Sequence, residues 1–305
     1  MTTPYDHDAL FFKAKMFLNR AMDSEDVRPF DEQALWASLA LELLAKAALA
    51  RVSPLLVAEP TEDGKNLLIA SGLVDGEGRF TSVRAKTLFS RCQKAFRPFN
   101  ETEAAKITTA RNEYLHGSAA GFTNIPESAW WPRYWAQAAI LVHALDREMH
   151  ELVGLERNSV VTTHLEQNTQ NLENSVQMLI ERSKQRLAQH RAGTLPAKVA
   201  REWRPGLDNS AGFLHRESAR CPACGVEGLL EGDEVLETDV HGGHAGPGYD
   251  TPIELTIGAE YFGCSMCGLA LDSYELLEAA DLETSFTVEG DPDDLDYYEG
   301  DYGND

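Results

Sequence analysis

Cysteine spacing constrains this chain more than any other feature. Four of its five cysteines stand as Cys221-Pro-Ala-Cys224-Gly and Cys264-Ser-Met-Cys267-Gly. Two residues between thiolates let one tight turn aim both sulfurs at a single ion, and the glycine that follows relieves the backbone where its amides turn toward sulfur. Two such turns brought together make a four-thiolate tetrahedral site. The 39 residues between them must therefore fold back on themselves. Ile253, Leu255 and Ile257 alternate with Glu254 and Thr256, the period of a half-buried strand, and Leu229 to Val240 carries a weaker alternation.

A zinc ribbon is the expected fold of this region, with Zn2+ as the cofactor. Four sulfurs leave no open coordination position, so the expected role of the ion is structural: it stands in for a core that a small domain lacks. His241 and His244, flanked by glycines, read as solvated loop residues. Cys92, alone in a helical pattern, reads as a small buried hydrophobe.

Charge divides the chain at the first cysteine. The net charge is -22, yet all 27 basic residues precede Cys221, together with 27 of the 49 acidic ones. The remaining 22 acidic residues face no lysine or arginine from Cys221 onward. Binding a polyanion rests on cationic side chains neutralising phosphates, so phosphate neutralisation is excluded for this last part taken alone. Just before it, residues 183–220 hold Lys184, Arg186, Arg191, Lys198, Arg201, Arg204, Arg216 and Arg220 against three acidic residues.

The front of the chain reads as helices. Apolar spacing predicts helices at about Tyr5–Met22, Asp31–Arg51, Ser82–Ala95 and Thr102–His116, the last closed by Gly117. A loop over 59–80 holds one short helix at Leu67–Ser71. Pro132 is expected in the first turn of a helix reaching Val153, with Trp130, Trp131 and Trp135 as core anchors. Ser159–His190 is a long polar helix with Leu165, Leu172 and Leu179 every seven residues, the spacing of an imperfect coiled-coil seam. A short helix is expected at about Asp272–Asp281. The most apolar stretch, Ala34 to Ala50, contains Glu42 and Lys46 and reads as a buried helix, not a membrane span. The start of the chain lacks the order of a secretory signal, so a cytoplasmic location is expected.

The helix before Gly117 carries Arg111-Asn112-Glu113-Tyr114-Leu115-His116. Arg111 lies four residues after Ile107 and four before Leu115, beside the apolar stripe, where a guanidinium is costly unless an anion or a partner meets it. His116 sits in the last turn, where the negative helix end favours its protonated form. Five residues turn a helix by about 140° and raise it about 7.5 Å, so one helix alone does not converge the two side chains. Two such helices meeting about a twofold axis would.

In Arg111, Asn112 and His116 the chain resembles the HEPN superfamily, helical bundles with an Arg-x4-6-His motif. Glu42-Leu-Leu-Ala-Lys46 is similar to the second helix common in that group. The resemblance covers roughly residues 5–155. It implies a metal-independent endoribonuclease of a prokaryotic defence or toxin system, acting as a homodimer on RNA. The RNA 2′-hydroxyl would attack its own phosphodiester to leave a 2′,3′-cyclic phosphate, with His116 in proton transfer, Arg111 on the phosphorane charge and Asn112 orienting either group. A tyrosine that stands two after the histidine in HEPN toxins silenced by nucleotidyl transfer is here Ser118, so that control is not supported.

The expected fold is mainly α: a HEPN-like helical bundle over 1–156, a long polar helix over 157–192, a basic linker over 193–213, a small β-rich zinc ribbon over 214–284 and a disordered acidic tail over 285–305. A regulatory protein is an expected partner of the ribbon or tail, and no membrane is expected. The alternative is a non-catalytic, zinc-stabilised adaptor that uses the bundle for protein–protein interaction.

Overall fold

The structure is a computed structural model and describes residues 6–23, 28–75, 81–108, 111, 114, 125–240 and 253–290. The chain divides into two compact units, residues 1–169 and 170–305. The first is helical and the second holds the antiparallel strands.

Helix α1 (His7–Ala21) begins where the Asp6 side chain accepts a hydrogen bond from the Ala9 amide at 2.9 Å, and buries Phe11, Ala14 and Leu18 along one stripe. Helix α2 (Phe30–Val52) is the axis of the unit. Leu41, Leu44 and a series of alanines from Ala34 to Ala50 are buried around most of its circumference, and these small side chains let neighbours approach. It packs on α1, on α4 (Ala85–Ala95) and on α6 (Glu127–Ala144), while α3 (Lys65–Ala70) lies in the connection after it. Cys92 is buried on α4 with its sulfur toward the Ala45 carbonyl, and burial pushes its thiol pKa up, as suits a core hydrophobe.

Helix α5 (Glu101–Thr108) is held at its start by Asn100, whose side chain accepts from the Glu103 amide at 3.0 Å. In α6, Trp130 and Trp135 are fully buried and Trp131 nearly so, with Trp130 stacked on Tyr134 at 5.2 Å. That helix departs from expectation at both ends. It starts at Glu127 behind Pro126, which places Pro132 in the helix interior, and it stops at Ala144. Asp146 takes a left-handed conformation (φ 53°), and the paired side chains of Glu148 and Glu151 start a separate helix α7 (Met149–Val153). Arg147 ties the turn to α1 through Asp8 at 2.7 Å.

Helix α8 (Leu155–Arg191) runs 37 residues. Leu165, Leu172 and Leu179 are half-buried, with Leu165 against the core of the first unit and Leu179 against that of the second. In the second unit the buried stripe is Val176, Ile180, Ser183 and Leu187, offset from the leucines, because these positions face the hydrophobic core of that unit.

The second unit contains α9 (Ala197–Glu202), two antiparallel sheets and α10 (Tyr274–Ala279). One sheet has the order β1 (His215–Arg220), β2 (Glu227–Gly232), β5 (Tyr261–Gly263), β6 (Ala270–Leu271). The other runs β3 (Val235–Val240), β4 (Ile253–Gly258), β7 (Ser285–Gly290). Two expected boundaries are corrected here. Residues 285–290, assigned to the acidic tail, form β7, whose Phe286 and Val288 pair with Ile257 and Leu255. The 193–213 segment is not a free linker. The Gly206 amide donates to Ser265 at 3.0 Å, the Asn209 side chain donates to Leu269 at 3.0 Å, and the amides of Ala211, Gly212 and Phe213 converge on the fully buried Glu231 carboxylate. The rest of the expected tail, 291–305, lies outside the described residues.

Truncation of Leu44, fully buried on α2, should lower the stability of the helical unit by about 2–5 kcal/mol in urea unfolding followed by helix ellipticity. Met178→Ala on the exposed face of α8 should stay within about 0.5 kcal/mol of the parent chain.

Candidate functional site

The four-cysteine centre is built from two copies of one local device. In the first, the Cys221 amide donates to the Val226 carbonyl at 2.9 Å, and the Gly225 amide donates back to Cys221 at 2.9 Å. In the second, Cys264 donates to Leu269 at 2.9 Å and Gly268 to Cys264 at 2.8 Å. Both closing glycines are left-handed, Gly225 at φ 72° and Gly268 at φ 71°, a conformation that a side chain would strain. Pairing of Leu229 with Gly263 sets the two turns side by side.

The result is a cluster whose four sulfur atoms all lie within 4.8 Å of one another, with Cys221 to Cys267 and Cys224 to Cys264 each at 3.6 Å. A tetrahedron with metal–sulfur bonds of about 2.3 Å has edges of about 3.8 Å, so this cage fits a metal ion and is compatible with zinc. Three of the cysteines are buried and Cys224 is half-buried. Hydrogen bonds from Cys221 and Cys267 pull the Cys264 thiol down in pKa, and the same contacts push those two donors up. Metal ligation takes thiolates, so a divalent cation that binds here displaces the thiol protons. His241 and His244 lie outside the described residues.

The second candidate centre is in the helical unit. Arg111 is helical and only 18% exposed, and its Nη1 pairs with Glu42 Oε2 on α2. The other oxygen of Glu42 accepts from Lys46 at 2.9 Å. Among the described residues, one carboxylate therefore holds two cations in a largely buried cluster. Burial is the largest influence on Glu42 and raises its pKa, but the Lys46 charge and the hydrogen bonds from Arg111 and Lys46 outweigh it and hold the carboxyl below its ordinary range. Asn112 and His116 lie outside the described residues.

The partner that Arg111 requires beside an apolar stripe is thus a residue 69 positions earlier. Sequence spacing alone did not connect them. Other residues carried no sequence signal as site members. Arg186 and Trp203 press on Gly268 of the second cysteine turn, and only the surplus of basic residues over 183–220 pointed to that region.

The chain matches no known protein family, no curated protein and no solved structure, so the resemblance to HEPN proteins rests on its motifs. Among the described residues no helix is long and apolar enough to cross a membrane.

Two measurements check these centres. Native mass spectrometry of the purified chain should find one metal ion per chain, and Cys267→Ser should remove it. Glu42→Gln should destabilise the helical unit by about 1–3 kcal/mol at pH 7, because it leaves two cations without their carboxylate. A carboxyl with a depressed folded pKa stabilises above its unfolded value, so this difference should shrink as the pH falls below 4.5 and through the lower folded pKa.

Proposed function

We propose that the helical unit is a metal-independent endoribonuclease of the HEPN type, active as a homodimer, in a prokaryotic defence or toxin system. The observation that carries this reading is the meeting of the two motifs on which the resemblance stands: Arg111 joins the Glu42–Lys46 pair in one cluster. Among the described residues the cluster sets two cations against one carboxylate in a partly desolvated place, where a guanidinium held in position stabilises phosphate charge better than a mobile one.

In this mechanism Arg111, fixed by Glu42, binds the non-bridging oxygens of the scissile phosphate. His116 takes the proton of the attacking 2′-hydroxyl or returns one to the 5′-oxygen that leaves, and Asn112 orients the phosphate or the imidazole. The second copy of the chain supplies the opposing Arg111 and His116. The products are a 2′,3′-cyclic phosphate and a 5′-hydroxyl. No metal enters the chemistry.

The four-thiolate centre is proposed as a structural zinc site. Cys221, Cys224, Cys264 and Cys267 would hold the ion, which would clip the two turns together, and all four positions of a tetrahedral ion would be filled. A second reading, a non-catalytic adaptor, is favoured by the same pairing seen otherwise: Glu42 also satisfies Arg111 as a structural ion pair.

Incubation of the pure protein with RNA in EDTA separates the two readings. The ribonuclease reading expects 2′,3′-cyclic phosphate ends, with cutting lost in His116→Ala and reduced at least 100-fold in Arg111→Ala. Cutting that survives His116→Ala removes the assignment, and wild-type protein that leaves RNA intact assigns the adaptor role.

A further inference from the structure

A cleft of about 410 Å³ lies in the second unit, beside the second cysteine turn. At its edge the side chains of Arg186 and Trp203 pack closely on Gly268. A Cβ built on that glycine would stand 2.5 Å from Arg186 Nη1 and 2.5 Å from Trp203 Nε1, so no side chain fits there. Arg186 uses part of its capacity on the Gly268 carbonyl at 3.3 Å and lies 5.3 Å from the centre of the Trp203 ring. Trp203 is 7% exposed, and its indole N–H has no hydrogen-bond partner among the described residues. A buried donor without an acceptor is costly.

Charge gives a second and independent indication. Arg182 stands one turn before Arg186 and also lines the cleft, and like charges at this spacing repel. The nearby Glu181 is engaged with Lys184 at 2.7 Å, and neither Arg182 nor Arg186 has an ion pair with a carboxylate among the described residues. Glu202, the acidic residue in the lining, is exposed. Leu195, Val199 and Leu207 add an apolar wall, and Gln185 and Gln189 add amides able to donate and accept. Paired guanidinium groups beside an apolar wall and amide edges match a phosphate joined to a flat heterocycle.

We infer that this cleft binds one nucleotide of single-stranded RNA, with its phosphate on Arg182 and Arg186 and its base along the Leu195, Val199 and Leu207 wall. The inference rests on the ribonuclease reading for the biological role of the RNA, but binding itself requires no cleavage. It also answers the charge argument from sequence. The chain from Cys221 onward carries no lysine or arginine, and the cations that line this cleft come from helix α8 of the same unit.

The test uses the full-length, metal-loaded chain and a fluorescein-labelled single-stranded RNA whose 2′-hydroxyls are all methylated, so that it cannot be cut. Fluorescence anisotropy should give an affinity that Arg182→Gln weakens five- to tenfold, with the slope of log Kd against log salt reduced by about 0.7. Unlabelled AMP should compete better than inorganic phosphate, since phosphate lacks the base. Metal content of the variant, measured alongside, confirms that the cysteine cage persists. An Arg182→Gln affinity within twofold of the parent overturns the proposal. So does tighter competition by a synthetic peptide of residues 291–305, which would make the occupant an acidic polypeptide. Failure of the ribonuclease reading would show separately, as intact unmethylated RNA.

Discussion

The second unit depends on four sulfur atoms being brought within one coordination radius. Each cysteine turn is a local structure that closes on its own glycine, but neither turn alone encloses an ion. Their approach requires strand β2 to pair with β5 across the intervening excursion through β3 and β4. An ion bound there joins segments about 40 residues apart, so its binding free energy becomes folding free energy for a unit whose apolar core is small. The buried Glu231, which collects three backbone amides from the 211–213 segment, extends the same closure to the chain that precedes the first cysteine.

The helical unit solves a different problem. Its central helix is lined with alanines, which let α1, α4 and α6 pack closely, while Trp130, Trp135 and Tyr134 fill the space at one side. Within that dense interior the Glu42, Lys46 and Arg111 cluster is an electrostatic exception. A buried ion pair is weak evidence for stability, because desolvation consumes most of the Coulomb gain. Among the described residues, two cations here share one carboxylate.

Much of this was legible from local patterns. Period and breaker residues located α1, α2, α4 and α8 to within a few residues, and the paired cysteine turns appeared as anticipated. The failures share a cause. The helix expected to reach Val153 is broken because Asp146 accepts a left-handed backbone and Glu148 with Glu151 caps a new start, and both depend on side chains that an apolar count ignores. The leucine repeat of α8 does not mark the buried stripe of the second unit, because the buried face of a helix is set by what packs on it. Residues 285–290 looked like tail because acidic residues surround them, yet Phe286 and Val288 find a partner in β4.

What the sequence determined by itself was chemistry held within a turn or two of chain: two metal-ligating turns, the helical character of the front half, the abrupt loss of cations at Cys221, and an arginine placed where it needs a partner. Tertiary structure decided which partner. Glu42 reaches Arg111 across 69 positions, and Arg186 and Trp203 reach Gly268 across 82 and 65. Those meetings depend on how the chain returns on itself, and the free energy that selects one return is spread over the whole core, where no short stretch of residues records it.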